Sequence, residues 1–190
     1  MSSFFAMMSR MKYIDRWGLM NNTRRENIAE HSLEVAMIAH ALVCIANSRC
    51  GERLDADRAT LLGIYHDASE ILTGDMPTPI KYFNPDIKNA YKDVERVAQD
   101  KLTAMLPADM QPDFDDVLHE NDAQLMPYIK AADKLSALIK CIEEVRMGNN
   151  EFKEAKTATE YALKEMDIPA LRIFIEEFMP AYYLTLDELK

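Results

Sequence analysis

Apolar residues recur along this chain at spacings of three and four, the period of helices that bury one face. From about Ala29 to Ser48, His31, Val35, Ile38, Leu42 and Ile45 share such a face. Asp55 is placed to cap a helix over about 56–73, which Gly74 stops. The segment GDMPTP (74–79) must then turn, because two prolines and a glycine break regular structure. Asn84 before Pro85 pairs a cap with a first-turn proline and starts a helix that runs to about Leu106. Residues 107–121 are mixed and acidic and predict a short helix or a loop. A long helix follows over about 122–147, ending at Gly148-Asn149, and two more over about 151–166 and 169–179. Residues 4–14 predict a short amphipathic helix, 18–27 (GLMNNTRREN) a loop, and the tail from Tyr182 to Lys190 a last short turn. No segment alternates polar with β-branched residues. The expected fold is therefore all-α, a bundle-like orthogonal array of helices forming a single domain over 1–190.

Composition agrees and narrows the partners. A chain of 190 residues with 48% hydrophobic residues and only 5 glycines can bury a helical core. Its net charge of −10 repels phosphate backbones, which argues against nucleic acid as a partner. Small phosphate substrates are repelled too, so a site for them needs a local positive centre, such as a metal or an isolated arginine. Cys44, Cys50 and Cys141 make an odd set with no metal-like spacing, which suits a reduced, cytoplasmic interior. Cys44 and Cys141 sit among apolar neighbours and are expected in the core. The apolar stretch Phe4–Met8 is too short for a signal-peptide core, and no run approaches the ~18 apolar residues of a membrane span. No membrane partner is expected.

Three places combine polar chemistry with burial. His31 lies on the apolar face of its helix beside Val35 and Leu42, where an imidazole needs a partner. A core histidine bonded to a carbonyl would satisfy that need as well as a ligand would. In YHDASE (65–70), His66 and Asp67 interrupt an apolar helical run, and Glu70 follows one turn later at i+4 and i+3. An imidazole and two carboxylates so placed suit a borderline divalent metal, although a plain His–Asp hydrogen bond fits the pair alone. Asp133, in IKAADKLSALIKC, stands mid-helix among small apolar residues, where an ionised carboxylate is costly without a cation. A metal would supply that cation, and so would Lys130 or Lys134.

Taken together the positions read H…HD…D on three predicted helices. Here the chain resembles the HD superfamily of metal-dependent phosphohydrolases and, more closely, the bacterial HD-domain 5′-deoxynucleotidases. The likeness runs through RWGLM (16–20), ENIAEHSLEVAMIAHAL (26–42), YHDASEILTGDMPTP (65–79), KYFN (81–84), Asp133 and GNNEF (148–152). It implies that His31, His66, Asp67 and Asp133 hold one divalent ion. Mixed nitrogen and oxygen ligation leaves its identity open among cobalt, manganese, iron and zinc. It implies Glu70 as the catalytic glutamate, Arg16 orienting the phosphate and Trp17 packing by the sugar to exclude a 2′-hydroxyl. Asp75, Met76, Pro77 and Thr78 would line the nucleoside side, while His31, Glu70 and Asp133 also face the substrate. It further implies a homodimer. The expected reaction takes a deoxyribonucleoside 5′-monophosphate to deoxyribonucleoside and phosphate, with Glu70, Arg16 and Asp67 as the catalytic set. An HD phosphohydrolase acting on a triphosphate, cyclic or signalling nucleotide is the enzymatic alternative, and a helical binding protein with a vestigial site the non-enzymatic one. His40 falls about 180° around an ideal helix from His31 and cannot share its site. His119 follows an acidic stretch without ligand spacing, so a mononuclear centre is expected.

Overall fold

The computed structural model describes residues 1–81 and 83–189, the side chain of Thr78 excepted. Its helices are α1 (Phe4–Met8), α2 (Ile28–Arg49), α3 (Ala56–Tyr65), α4 (Glu70–Thr73), α5 (Thr78–Lys81), α6 (Pro85–Ala104), α7 (Gln111–Leu118), α8 (Met126–Arg146), α9 (Lys153–Lys164) and α10 (Pro169–Glu177). Among the described residues there is no strand; a lone antiparallel bridge joins Asp15 to Asn27.

Local chemistry sets most boundaries. The Asn27 side chain accepts from the amides of Ala29 (3.0 Å) and Glu30 (3.1 Å), and Glu30 reaches back to the Asn27 amide. This reciprocal cap starts α2. Asp55 and Asn84 cap α3 and α6 as expected, accepting from Arg58 N (2.9 Å) and Ile87 N (2.8 Å). Gly74 leaves α4 with φ of 75°, open to glycine at no steric cost.

The continuous helix expected over 56–73 is broken. After Tyr65 the backbone tightens: Ala68 N bonds Tyr65 O (2.9 Å) and Glu70 N bonds Asp67 O (3.0 Å). His66 and Asp67 thus stand in a turn between α3 and α4. No glycine or proline marks the break. Elsewhere the differences are small. The 107–121 segment resolves into α7, the first helix tightens into a 3-10 turn over Ser9–Tyr13, and a helical turn, α5, closes the GDMPTP loop.

Helix α2 is the centre, packed by α3, α8 and α10. Val35, Leu42, Leu62, Leu135, Ile142 and Leu171 are buried in its cluster. By length and mean hydropathy (1.5) α2 would serve as a membrane span, but more than half of it is buried in this core. One stripe stays open: Leu33, Met37, His40 and Cys44 are exposed. Cys44 is therefore not a core residue, contrary to expectation; its sulfur lies 3.7 Å from His40 Nε2. Cys141 is buried, as expected.

Candidate metal centre and active site

Close packing of α2 on α3 brings two imidazoles together. Their ring centroids are 5.1 Å apart and their Nε2 atoms 3.3 Å apart. Each ring is held from behind. His66 Nδ1 donates to the Gly63 carbonyl at 2.8 Å. His31 Nδ1 lies 2.9 Å from Ser136 Oγ, whose own proton goes to Glu34 Oε2 at 2.6 Å. A carbonyl only accepts and the Ser136 proton is already spent, so both Nδ1 atoms carry the proton in the neutral rings. Both Nε2 lone pairs are then free to bind a metal.

Asp133 reaches them from α8, its Oδ1 3.1 Å from His31 Nε2. His31, His66 and Asp133 offer ligand atoms all within 4.8 Å of one another and could hold a metal ion. Asp67 joins the edge of this group, its Oδ2 3.4 Å from His31 Nε2 and 3.2 Å from His66 Nε2. Asp133 thus pairs with His31 rather than with Lys130 or Lys134, the lysines considered for it. The donor set fits a borderline divalent ion: two imidazoles held through Nδ1 and two half-buried carboxylates that bring negative charge close together.

Protonated His66 and the Arg16 guanidinium set positive charge beside these carboxylates. Burial works against ionised Asp67, yet attraction to His66, His31 and Arg16 wins and holds its carboxyl below the usual range. Burial likewise opposes Asp133, but the His31 hydrogen bond and Arg16 bring it down to about 2. Burial disfavours charged His66, but Asp67 outweighs it and raises the imidazole to about 9. His31 is lowered by burial and then by Arg16. A cation binding here would displace protons from the same groups.

Arg16 and Trp17 approach from the loop before α2. Arg16 Nη1 is 3.3 Å from Asp67 Oδ2. Trp17 has φ of 60°, a conformation that costs a bulky residue on the order of 1–3 kcal/mol and that persists only where surroundings impose it. The Trp17 backbone amide lies close enough to help hold down the Asp75 carboxyl, which puts the GDMPTP loop beside it. Burial raises the Asp75 carboxyl. Glu70 is buried and its Oε2 has no hydrogen-bond partner. Burial first, then Asp67 and Asp75, push its carboxyl up to about 9. Met76 and Pro77 are half-buried in the same loop. The expectation for the Thr78 side chain lies outside the described residues.

Three further residues of the site escaped the sequence reading. Glu26 accepts from both Arg16 and Trp17, Ser136 orients His31, and Glu144 binds the loop over residues 23–24. Ser136 and Glu144 act across more than a hundred residues and Glu26 across a loop, so no helical spacing marks them. His40 and His119 are not part of the cluster. His119 sits on Asp100 (3.0 Å), beside a charged surface cavity of about 700 Å³ between α6 and α7.

This fold and a histidine–aspartate centre on three segments define an HD-type phosphohydrolase fold. An HD-domain phosphohydrolase from Listeria innocua superposes with a TM-score of 0.78 at 23% identity, over 95% of this chain and 88% of that one. An HD phosphohydrolase of cyanophage S-2L, solved with dA and one catalytic Zn²⁺, superposes with a TM-score of 0.66 at 18% identity, over 93% and 95%. The model of the YfbR-like 5′-deoxynucleotidases matches residues 3–182. 5′-Deoxynucleotidases of Yersinia pestis and Yersinia pseudotuberculosis are 49% identical over 191 aligned residues, covering 100% of this chain and 97% of theirs. The chain belongs to the YfbR-like 5′-deoxynucleotidase family.

Proposed function

We propose that this chain hydrolyses deoxyribonucleoside 5′-monophosphates to deoxyribonucleoside and phosphate, with one divalent ion held by His31, His66, Asp67 and Asp133. The observation that carries this reading is the convergence of two imidazole Nε2 atoms and two half-buried carboxylates beside the Arg16 guanidinium. In a chain of net charge −10, that spot is where a phosphate is welcome.

The roles follow from position. Arg16 offers its planar fork to phosphate oxygens and holds the phosphorus in front of the cluster. When bound, the ion supplies Lewis acidity and can lower the pKa of a water from ~15.7 towards ~7; cobalt, manganese, iron or zinc would each serve. With Asp67 neutralised, Glu70 loses part of the charge that keeps it protonated. Its unpartnered Oε2 can then take the proton of the attacking water. The P–O bond to the sugar breaks as water attacks, the proton taken up by Glu70 passes to the departing 5′-oxygen, and the nucleoside leaves as its 5′-alcohol. Trp17 walls the sugar on the 2′ side, and Asp75, Met76 and Pro77 line the nucleoside.

The enzyme is read as a cytoplasmic homodimer. Supporting this are three unpaired cysteines and an open apolar face. Met37, 58% exposed, and Phe178 border a groove of about 580 Å³ between α2 and the C-terminal segment. Sedimentation would show a mass of two chains; a monomer at micromolar concentration would refute the pairing.

The deciding experiment offers the purified, cobalt- or manganese-loaded protein deoxy- and ribonucleoside monophosphates, then triphosphates and cyclic nucleotides. Phosphate release from deoxymonophosphates supports the proposal. Release confined to triphosphates or cyclic substrates would replace it with a different HD activity, and no metal uptake would leave a binding protein.

A further inference from the structure

Residues 14–28 form a clip with tied ends. Ile28 N donates to Ile14 O at 3.0 Å and Arg16 N to Glu26 O at 2.9 Å, around the Asp15–Asn27 bridge. At its mouth one carboxylate oxygen does two things. Glu26 Oε2 accepts from Arg16 Nε at 3.0 Å and from Trp17 Nε1 at 3.0 Å. The indole also packs on Phe152, ring centroids 5.3 Å apart, and Asn22 Nδ2 donates to the Trp17 carbonyl at 3.2 Å.

The far side of the loop is fastened to α8. Glu144 accepts from Thr23 N (2.9 Å), Arg24 N (3.1 Å) and Asn149 Nδ2 (2.8 Å), and pairs with Lys140. Lys140 also donates to the Arg24 carbonyl, and Asn149 Nδ2 to the Asn21 carbonyl at 2.8 Å. The two charged side chains are 4% and 0% exposed. A buried ion pair is poor evidence for added stability, because desolvation offsets its attraction. Here it presents fixed donors and acceptors to loop backbone, which is a geometric service.

We propose that Glu26 is a positioning residue that locks the Arg16 guanidinium and the Trp17 indole into one rigid unit, with the Lys140–Glu144 pair fixing the loop that joins them. The inference rests on the reading of Arg16 and Trp17 given above. With Nε spent on Glu26 and Nη1 directed at Asp67, the guanidinium has few ways left to turn, so its ordering precedes substrate binding. An indole rejects a 2′-oxygen only if it cannot swing aside, and the bond to Glu26 is what stops it. One carboxylate thus couples phosphate orientation to sugar choice.

The test uses metal-loaded Glu26→Ala, Glu26→Gln, Glu144→Gln and Trp17→Ala proteins. Trp17 is the sole tryptophan, so intrinsic emission reports its surroundings directly. Glu26→Ala should narrow the deoxy/ribo ratio of kcat/KM by about tenfold, as loss of a charge-assisted hydrogen bond predicts. It should also shift the Trp17 emission maximum while metal content stays unchanged. Glu26→Gln keeps an acceptor oxygen and should recover part of both. Glu144→Gln, which leaves the mouth of the clip intact, should move both in the same direction by less, and serves if Glu26→Ala fails to fold. If Trp17→Ala narrows the ratio while the Glu26 variants leave ratio and emission at wild-type values, the coupling is overturned and the role of Trp17 survives. If Trp17→Ala itself leaves the ratio unchanged, the underlying reading fails and takes the coupling with it.

Discussion

A β-carbon on Gly63 would fall 2.7 Å from the Ala36 Cα and 2.9 Å from the Ala36 amide nitrogen. At this crossing α3 lies on the backbone of α2, and the Gly63 carbonyl one turn before His66 accepts its Nδ1 proton. Closeness of the helices and aim of the imidazole are therefore set by the same residue. Gly63→Ala must push the helices apart, at about 1–3 kcal/mol for overpacking. The expected outcome is a lower melting temperature together with weaker metal binding, read by calorimetry on metal-free and loaded protein. A variant with unchanged melting and affinity would show that the crossing relaxes freely.

How far this architecture was legible depends on how local its causes are. Asp55 and Asn84-Pro85 carry their helix starts in adjacent residues, and both starts were readable. The H…HD…D pattern was readable because polar residues interrupt apolar periodicity at 31, 66–67 and 133. The break at 66–69 was not, since no breaker residue marks it and the side chains of His66 and Asp67 are engaged with His31 and Arg16 from other segments. Cys44 was misplaced because α2 is apolar on its open stripe as well, with Leu33 and Met37 beside it. Glu26 and Glu144 read locally as ordinary helix-end and solvated charges. Their partners lie at Arg16 and Trp17, and at Thr23 and Arg24, which periodicity cannot reach.

Metal should stabilise the fold measurably. A cation present at 100 times its Kd adds about 2.7 kcal/mol if it binds only the folded chain. Cobalt or manganese should raise the melting temperature, a chelator should reverse the rise, and Asp133→Ala should abolish it. Absence of a shift with cobalt, manganese, iron and zinc alike would remove the cluster from consideration as a metal centre.

Glu70 separates turnover from folding. Glu70→Gln and Glu70→Ala should retain metal but lose activity by at least about 10²-fold, the usual scale of a missing proton acceptor. Stability should behave differently. The folded carboxyl is raised from 4.5 to about 9, so the folded state holds its proton more tightly than the unfolded one. Metal-free wild type should therefore lose stability as pH rises from about 4.5 to 9, relative to Glu70→Gln. Parallel melting curves for the two proteins across that range would contradict the buried, protonated carboxyl.

Acid should open the clip from the opposite side. Burial opposes ionised Glu144, but hydrogen bonds from Lys140, Asn149 and the amides of Thr23 and Arg24 prevail and lower its carboxyl from 4.5 to about 2. A depressed folded pKa means the unfolded chain takes up the proton first. The contribution is complete above about 4.5 and is lost as pH falls towards 2. Other acids of the centre titrate in the same window, Asp133 among them, so wild type alone cannot assign the loss. The double variant Lys140→Met/Glu144→Gln removes both buried charges without stranding one. Its stability should fall less steeply than wild type between pH 4.5 and 2. Trp17 emission should change in wild type over that window, because release of residues 23–24 loosens the loop that places the indole. Equal slopes in the two proteins would mean that Glu144 does not hold the loop through its charge.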